Sequence, residues 1–230
     1  MMSTEYDQRS LIEALDSGAD DFIGKPPLAE ELYARLCAAE RLATMQRELI
    51  RLATIDPLTG LCNRRGFFEL ATEACARTIP DGRLSAIILD IDNFKYINDS
   101  YGHETGDEAL RACASAARMD EALAGRLGGD EFALLLEART LPQAIEIAED
   151  LRLRLAARPF DTGKGQITLT WSVGVGEANP GDTVDQILAR ADAALYNAKL
   201  AGRNRVVGAH AGVLTRRSIA TNGIARASAL

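Results

Sequence analysis

The sequence predicts an α/β (α+β) domain with a central mixed or antiparallel sheet flanked by helices, preceded by a helical stalk. Three observations lead there. From residue 55 onward, short apolar runs alternate with segments of helical period, the pattern of helices laid on a sheet. Inside that alternation, "GRLGGDEFALLLE" sets apolar runs on either side of Gly128 and Gly129, which reads as a hairpin, so some strands run antiparallel. Ahead of it, residues 37–54 keep a helical period with no strand signal.

Each element has its own reason. In "SLIEALDSGAD", Leu11, Ile12 and Leu15 share a helical face and Gly18 stops the helix. "DFIG" is a short strand, and "KPPLAEELYARLCAAERL" opens a second helix with proline in its first turn. That helix continues as the stalk. Leu42, Met45, Leu49 and Leu52 are spaced 3, 4, 3, which fits a coiled-coil seam or one face of an ordinary surface helix. "ATIDPLTGLCNRRGF" breaks the period with Pro57 and Gly60 and leads into a helix over about 64–78. "LSAIILDI" is a buried strand, "GDEALRACASAARM" a helix, and "LPQAIEIAEDLRLRLAA" another. "QITLTWSVGVGE" reads as one strand, "TVDQILARADAALYNAKLAG" as the last helix and "NRVVG" as a last short strand. The organisation expected is 1–36, a first small segment; 37–54, the stalk; 55–208, the main domain; and 209–230, a flexible tail rich in small residues.

Composition narrows the classes. The 230 residues are 47% apolar, enough for one domain with a full core and something smaller. The formal charge of -7 and the absence of a strongly basic face argue against a nucleic-acid binder. Cys37, Cys62, Cys75 and Cys113 form no C-x-x-C pair, and with only two histidines a zinc site has poor support. They read as thiols in a reducing cytoplasm. No apolar run reaches the ~18 residues of a membrane span, and "MMSTEYDQRS" lacks the pattern of a signal peptide.

The chemistry gathers around acids. "LSAIILDI" is apolar until Asp90, and a carboxylate at the end of a buried strand is costly unless paired or metal-bound. Asp92 is either a helix cap or part of the same site. The hairpin tip adds Asp130 and Glu131. If it lies beside the strand, the carboxylates repel unless a cation sits among them. Hard oxygen ligands suit Mg²⁺, which also binds substrate phosphates, and the set fits phosphoryl or nucleotidyl transfer. Gly128 and Gly129, lacking Cβ atoms, would let a nucleotide approach the backbone. Lys95, Lys199 and Arg203 are the candidate phosphate contacts, the last two four residues apart on one helical face. Each cation alone is more commonly a plain surface charge.

Taken in order, "DPLTGLCNRRGF", "LDIDNFKYINDSYGHETGDEAL", "RLGGDEF", "SVGVG" and "ADAALYNAKLAGRNRV" resemble the successive motifs of the GGDEF family of diguanylate cyclases, from Asp56 to Val207. The resemblance implies a fold similar to adenylyl cyclase and polymerase palm cores. It implies a homodimer that joins two GTP into cyclic di-GMP, with one half-site per subunit and a two-metal Mg²⁺ (or Mn²⁺) centre. Carried onto this chain, Asp90 and Asp130 would be side-chain metal ligands, assisted by the Ile91 carbonyl. Glu131 would sit at the metal site and help activate the 3′-hydroxyl. Asn98 and Asp107 would read guanine, and Phe94, Gly128 and Gly129 would line the substrate site. Lys95, Lys199 and Arg203 would hold phosphates. The family's R-x-x-D inhibitory site is altered: Met119 and Ala122 stand in its charged positions, with Arg118 and Glu121 one residue out of phase.

"ALDSGADDFIGKP" resembles the end of a response-regulator receiver domain, with Lys25 before Pro26 as the phosphate-sensing lysine and Ser3 at the switch position. The phosphoacceptor would lie upstream of Met1: either the chain is truncated and an upstream receiver or sensor module is a further implied partner, or the remnant has lost phosphorylation control. The rival is a non-catalytic GTP- or product-sensing regulator on the same fold. A transcriptional output would need a DNA-binding module, and none is legible.

Overall fold

The computed structural model describes residues 2–3, 8–78 and 83–209. The chain divides into two units, Met1–Leu52 and Ala53–Leu230. In the first, β1 (Met2–Ser3) pairs in parallel with β2 (Ile23–Gly24), and α1 (Gln8–Asp16) lies between them in sequence. Phe22 and Ile23 are buried there with Ala14. The helix α2 (Ala29–Thr54) has no buried residue. It begins after Pro26 and Pro27 rather than with proline in its first turn, which corrects that expectation.

The second unit is built on a five-stranded sheet. Its elements are α3 (Arg64–Thr78), β3 (Leu84–Ile91), α4 (Phe94–Tyr101), α5 (His103–Ala117), β4 (Ala122–Gly128), β5 (Glu131–Glu137) and α6 (Leu141–Ala156). A small hairpin, β6 (Pro159–Asp161) and β7 (Gln166–Thr168), comes next. Then follow β8 (Trp171–Glu177), α7 (Val184–Leu200) and β9 (Val206–Ala209). The order is β4-β5-β3-β8-β9. The strand β3 is antiparallel to β5 and β8, and β8 is parallel to β9, so the sheet is mixed.

Period-2 alternation sends side chains to two cores. Ile87, Leu89 and Ile91 of β3 join Phe132, Leu134 and Leu136 of β5 against α5 and α6. Ala86 and Ile88 join Ala133 and Leu135 against α3 and α7. On that second face α7 lies almost on the backbone of β8. A Cβ at Gly174 would come within 2.0 Å of the Ala191 carbonyl oxygen, which is the physical reason for the glycines of "SVGVG".

Three sequence expectations change. "QITLTWSVGVGE" is two strands in two sheets, since β7 pairs with β6 while β8 joins the main sheet. The break falls where Leu169 turns into the core and the Thr170 carbonyl accepts from the Asp92 backbone N–H at 2.9 Å. The segment after Asp92 forms a separate helix, α4, with Asn93 as its N-cap. Ala209, assigned to the tail, ends β9; residues 210–230 lie outside the described residues. Among the described residues no helix is long and apolar enough to cross a membrane.

Candidate active site

Register brings the acids together. On β3, Asp90 continues the row of Ala86 and Ile88 that faces α7, and its partner in the antiparallel ladder is Glu131 of β5. Burial is the largest influence on both groups and raises both carboxyl pKa values. For Asp90 the Lys199 ammonium opposes that rise, and for Glu131 the Asp90 charge adds to it. The Lys199 Nζ stands 2.6 Å from Asp90 Oδ2. Burial therefore outweighs the one ammonium in contact, and both carboxylates are held at a cost that a bound cation would reduce.

The hairpin tip is held from outside. The ladder shifts register between Arg126 and Gly128, and Gly129 takes φ 50°. An added Cβ at either glycine would meet nothing within 4 Å. Gly129 is therefore demanded by its left-handed backbone, and the face beside it is open to a ligand. Arg126 Nε and Nη2 donate to the Gly129 carbonyl at 2.9 and 2.7 Å, while Nη1 reaches both oxygens of Asp56 at 3.3 Å. Asp56 in turn accepts from the backbone N–H and hydroxyl of Thr59. Burial works against the Asp56 carboxylate, but the Thr59 hydrogen bonds and the Arg126 charge outweigh it and lower its pKa. Arg126 and Asp56 were not singled out in the sequence. The signal available was the Asp-to-Thr spacing of "DPLTG", an Asx-type turn.

Beside the tip lies a cavity of about 360 Å³, lined by Asp90, Ile91, Asn93, Phe94, Lys95, Asp130, Lys199 and Arg203. Seven of the predicted residues thus share one space, and Asn93, with φ 58°, is an addition. Glu131 stands across the ladder from Asp90 rather than in the lining, and Asn98 and Asp107 lie outside it on α4 and α5. Arg203 is not on the last helix with Lys199, because α7 stops at Leu200 and Arg203 takes φ 62° in the loop beyond. That loop is drawn back by Asp92, whose Oδ2 accepts from the Asn204 backbone N–H at 3.0 Å. Asp92 also accepts from Thr170 Oγ1 at 2.7 Å and Ser172 Oγ at 2.6 Å. It is a buried tie between β3, β8 and the α7–β9 loop, neither helix cap nor site residue. The out-of-phase charges are engaged elsewhere: Arg118 donates to the Gly60 carbonyl at 3.2 Å, and Glu121 accepts from Arg139 at 2.6 Å.

The family described as "Diguanylate cyclase, GGDEF domain" matches residues 53–205. The chain belongs to the GGDEF diguanylate cyclase family. The response regulator PleD of Caulobacter vibrioides is 36% identical over 218 residues, covering 88% of this chain and 48% of PleD. A diguanylate cyclase of Vibrio cholerae is 40% identical over 169 residues, 71% of this chain and 52% of that protein. The chain therefore spans about half the length of these curated relatives. Among solved structures, the coiled coil and GGDEF domain of DgcB from Caulobacter crescentus, in complex with c-di-GMP, is 33% identical. It matches with TM-score 0.73 over 78% of this chain and 98% of that one. The active GGEEF domain of a Vibrio cholerae diguanylate cyclase is 38% identical, with TM-score 0.62 over 66% and 99%.

Does a GGDEF donor set of this geometry fit a divalent cation? Among the described residues no three His, Cys, Asp or Glu side chains are gathered as a metal cage. The cavity instead offers two carboxylates, Asp90 and Asp130, and the backbone at Ile91, with Lys199 as a cation already against Asp90. Two hard carboxylates and a carbonyl match the way Mg²⁺ is bound in nucleotide sites, where substrate and water complete the shell. The set fits.

Proposed function

We propose that this chain is a diguanylate cyclase that condenses two GTP into cyclic di-GMP and two diphosphates, acting as a homodimer in the cytoplasm. The single observation that carries the proposal is the cavity where Asp90, Asp130, Lys95, Lys199 and Arg203 converge beside an open hairpin tip.

Asp90, Asp130 and the Ile91 carbonyl would hold Mg²⁺ or Mn²⁺ in a two-metal arrangement. The ion, when bound, supplies charge stabilisation for the attacking and leaving oxygens. Lys95, Lys199 and Arg203 bind and orient the triphosphate. Glu131, with its raised pKa, takes the proton of the attacking 3′-hydroxyl. That oxygen forms a bond to the α-phosphorus of the second GTP, and diphosphate leaves; the same step repeated closes the ring. One GTP lies at each hairpin, so two copies must face each other. The exposed apolar positions of α2, Leu42, Met45, Leu49 and Leu52, support a stalk that brings them together. Asn98 and Asp107 read guanine. Neither side chain has a hydrogen-bond partner among the described residues, which leaves both for a ligand. A sensing domain without catalysis would not need the hairpin acids, and Asp130 and Glu131 are both present.

The test is substrate choice. With Mg²⁺, the protein should release diphosphate from GTP and not from ATP. Asp107→Ala should weaken GTP use by roughly 10- to 100-fold, about 1.4–2.8 kcal/mol. Equal use of GTP and ATP by the wild type would overturn the guanine assignment.

A further inference from the structure

We propose that Gly106 is a positioning residue that seats the Asn98 carboxamide for guanine. The inference rests on the reading of Asn98 as a guanine contact.

The two helices α4 and α5 are joined through Gly102 alone, at φ 93°. The Gly102 backbone N–H donates to the Asn98 carbonyl at 2.9 Å, and the Gly106 N–H donates to the Gly102 carbonyl at 3.2 Å. This tight corner folds the first turn of α5 back onto α4. The Asn98 side chain fills the angle between them. A Cβ at Gly106 would come within 1.9 Å of Asn98 Oδ1 and 2.9 Å of its Cγ. Real Cβ atoms do not approach so closely, so any side chain at 106 must push the carboxamide away or part the helices.

A second feature makes this seat matter. Asn98 is half-buried, yet its side chain makes no hydrogen bond to the described residues. Its orientation is set by packing, and Gly106 is the surface it lies on. Glycine inside a helix usually costs stability relative to alanine, yet α5 carries it at a buried position. Asp107, the other proposed guanine contact, is the next residue. One step of α5 thus provides the seat for one reader and the side chain of the other. Substitution at 106 should misplace Asn98 without touching the acids, Lys199 or Arg203.

The experiment is a double-mutant cycle on the full chain with Gly106→Ala, Asn98→Ala and the pair, reading KM for GTP, kcat and the thermal midpoint. Gly106→Ala is expected to raise KM roughly tenfold and leave kcat within about twofold. Asn98→Ala should do the same, and the pair should be no worse than Asn98→Ala alone. An undiminished Gly106→Ala effect in the Asn98→Ala background would overturn the proposal, since Gly106 would then act through something else. So would an unchanged KM in Gly106→Ala beside a raised KM in Asn98→Ala. An unchanged KM in Asn98→Ala would instead remove the guanine reading on which the proposal rests. If Gly106→Ala does not fold alone, the pair decides. Folding restored by deleting the Asn98 side chain supports the seat, and failure of the pair to fold contradicts it.

Discussion

Asp130 and Asp56 sit at opposite ends of one short chain of contacts and should respond differently to substitution. Asp130 lies on a half-exposed tip and supports little of the core. Asp130→Ala should therefore change stability by no more than about 0.5 kcal/mol and lower turnover by at least about a hundredfold, or about 2.7 kcal/mol of barrier. Denaturation midpoints and initial rates measured on one preparation check both halves. Asp56 is the converse: its carboxylate is mostly buried, held by Thr59 and facing Arg126. Its pKa is lowered on folding, so its charge adds stability above the unfolded Asp value of about 3.9. That stability is lost as pH falls through the lower folded value. Asp56→Asn keeps an acceptor for Thr59 and removes the charge. It should be less stable than the wild type by about 1 kcal/mol at neutral pH, and the gap should close as pH drops below about 4. Urea midpoints across that range would show it, and a gap independent of pH would contradict the electrostatic role.

Elements decide how much of the site the sequence could reveal. The acids of "LSAIILDI" and "RLGGDEF" were legible because a carboxylate ending an apolar strand is anomalous by itself, and ladder register makes Asp90 and Glu131 partners. Arg203 was misplaced because helical period cannot show where a helix ends. The turn at Gly202 and the pull of Asp92 on Asn204 are tertiary facts. The role of Asp92 was illegible for the same reason, as its partners Thr170, Ser172 and Asn204 are distant in sequence. The split of "QITLTWSVGVGE" was hidden because both halves have strand composition and only the sheet decides membership. Glycines of "SVGVG" were recognisable as a motif, but their cause is the approach of α7. Gly174→Ala should force β8 and α7 apart and destabilise by about 3 kcal/mol, lowering the thermal midpoint by roughly 6–12 °C. A midpoint within a degree of the wild type would show that the helix can slide.

At the scale of the whole molecule, each chain brings the acids of one hairpin tip to one cavity beside it, while the proposed reaction joins two nucleotides. Assembly should then control rate. Leu49 is 65% exposed on a helix with no buried residue. Leu49→Glu should leave the second unit folded but make specific activity fall steeply on dilution, while the wild type holds its rate to lower protein concentration. Activity independent of concentration in a chain shown by sedimentation to be monomeric would rule out the two-copy reaction. Feedback should be simple as well. Met119 and Ala122 cannot supply the charged pair of the family's inhibitory site, and Arg118 and Glu121 are engaged with Gly60 and Arg139. The most direct measurement is the mass of the product formed from GTP and Mg²⁺ by the purified wild type beside Asp130→Ala. The expected result is cyclic di-GMP with two diphosphates released per molecule by the wild type, and none by a folded Asp130→Ala. No cyclic dinucleotide from the folded wild type, or undiminished product from the variant, would contradict a cyclase centred on the acids of β3 and the hairpin.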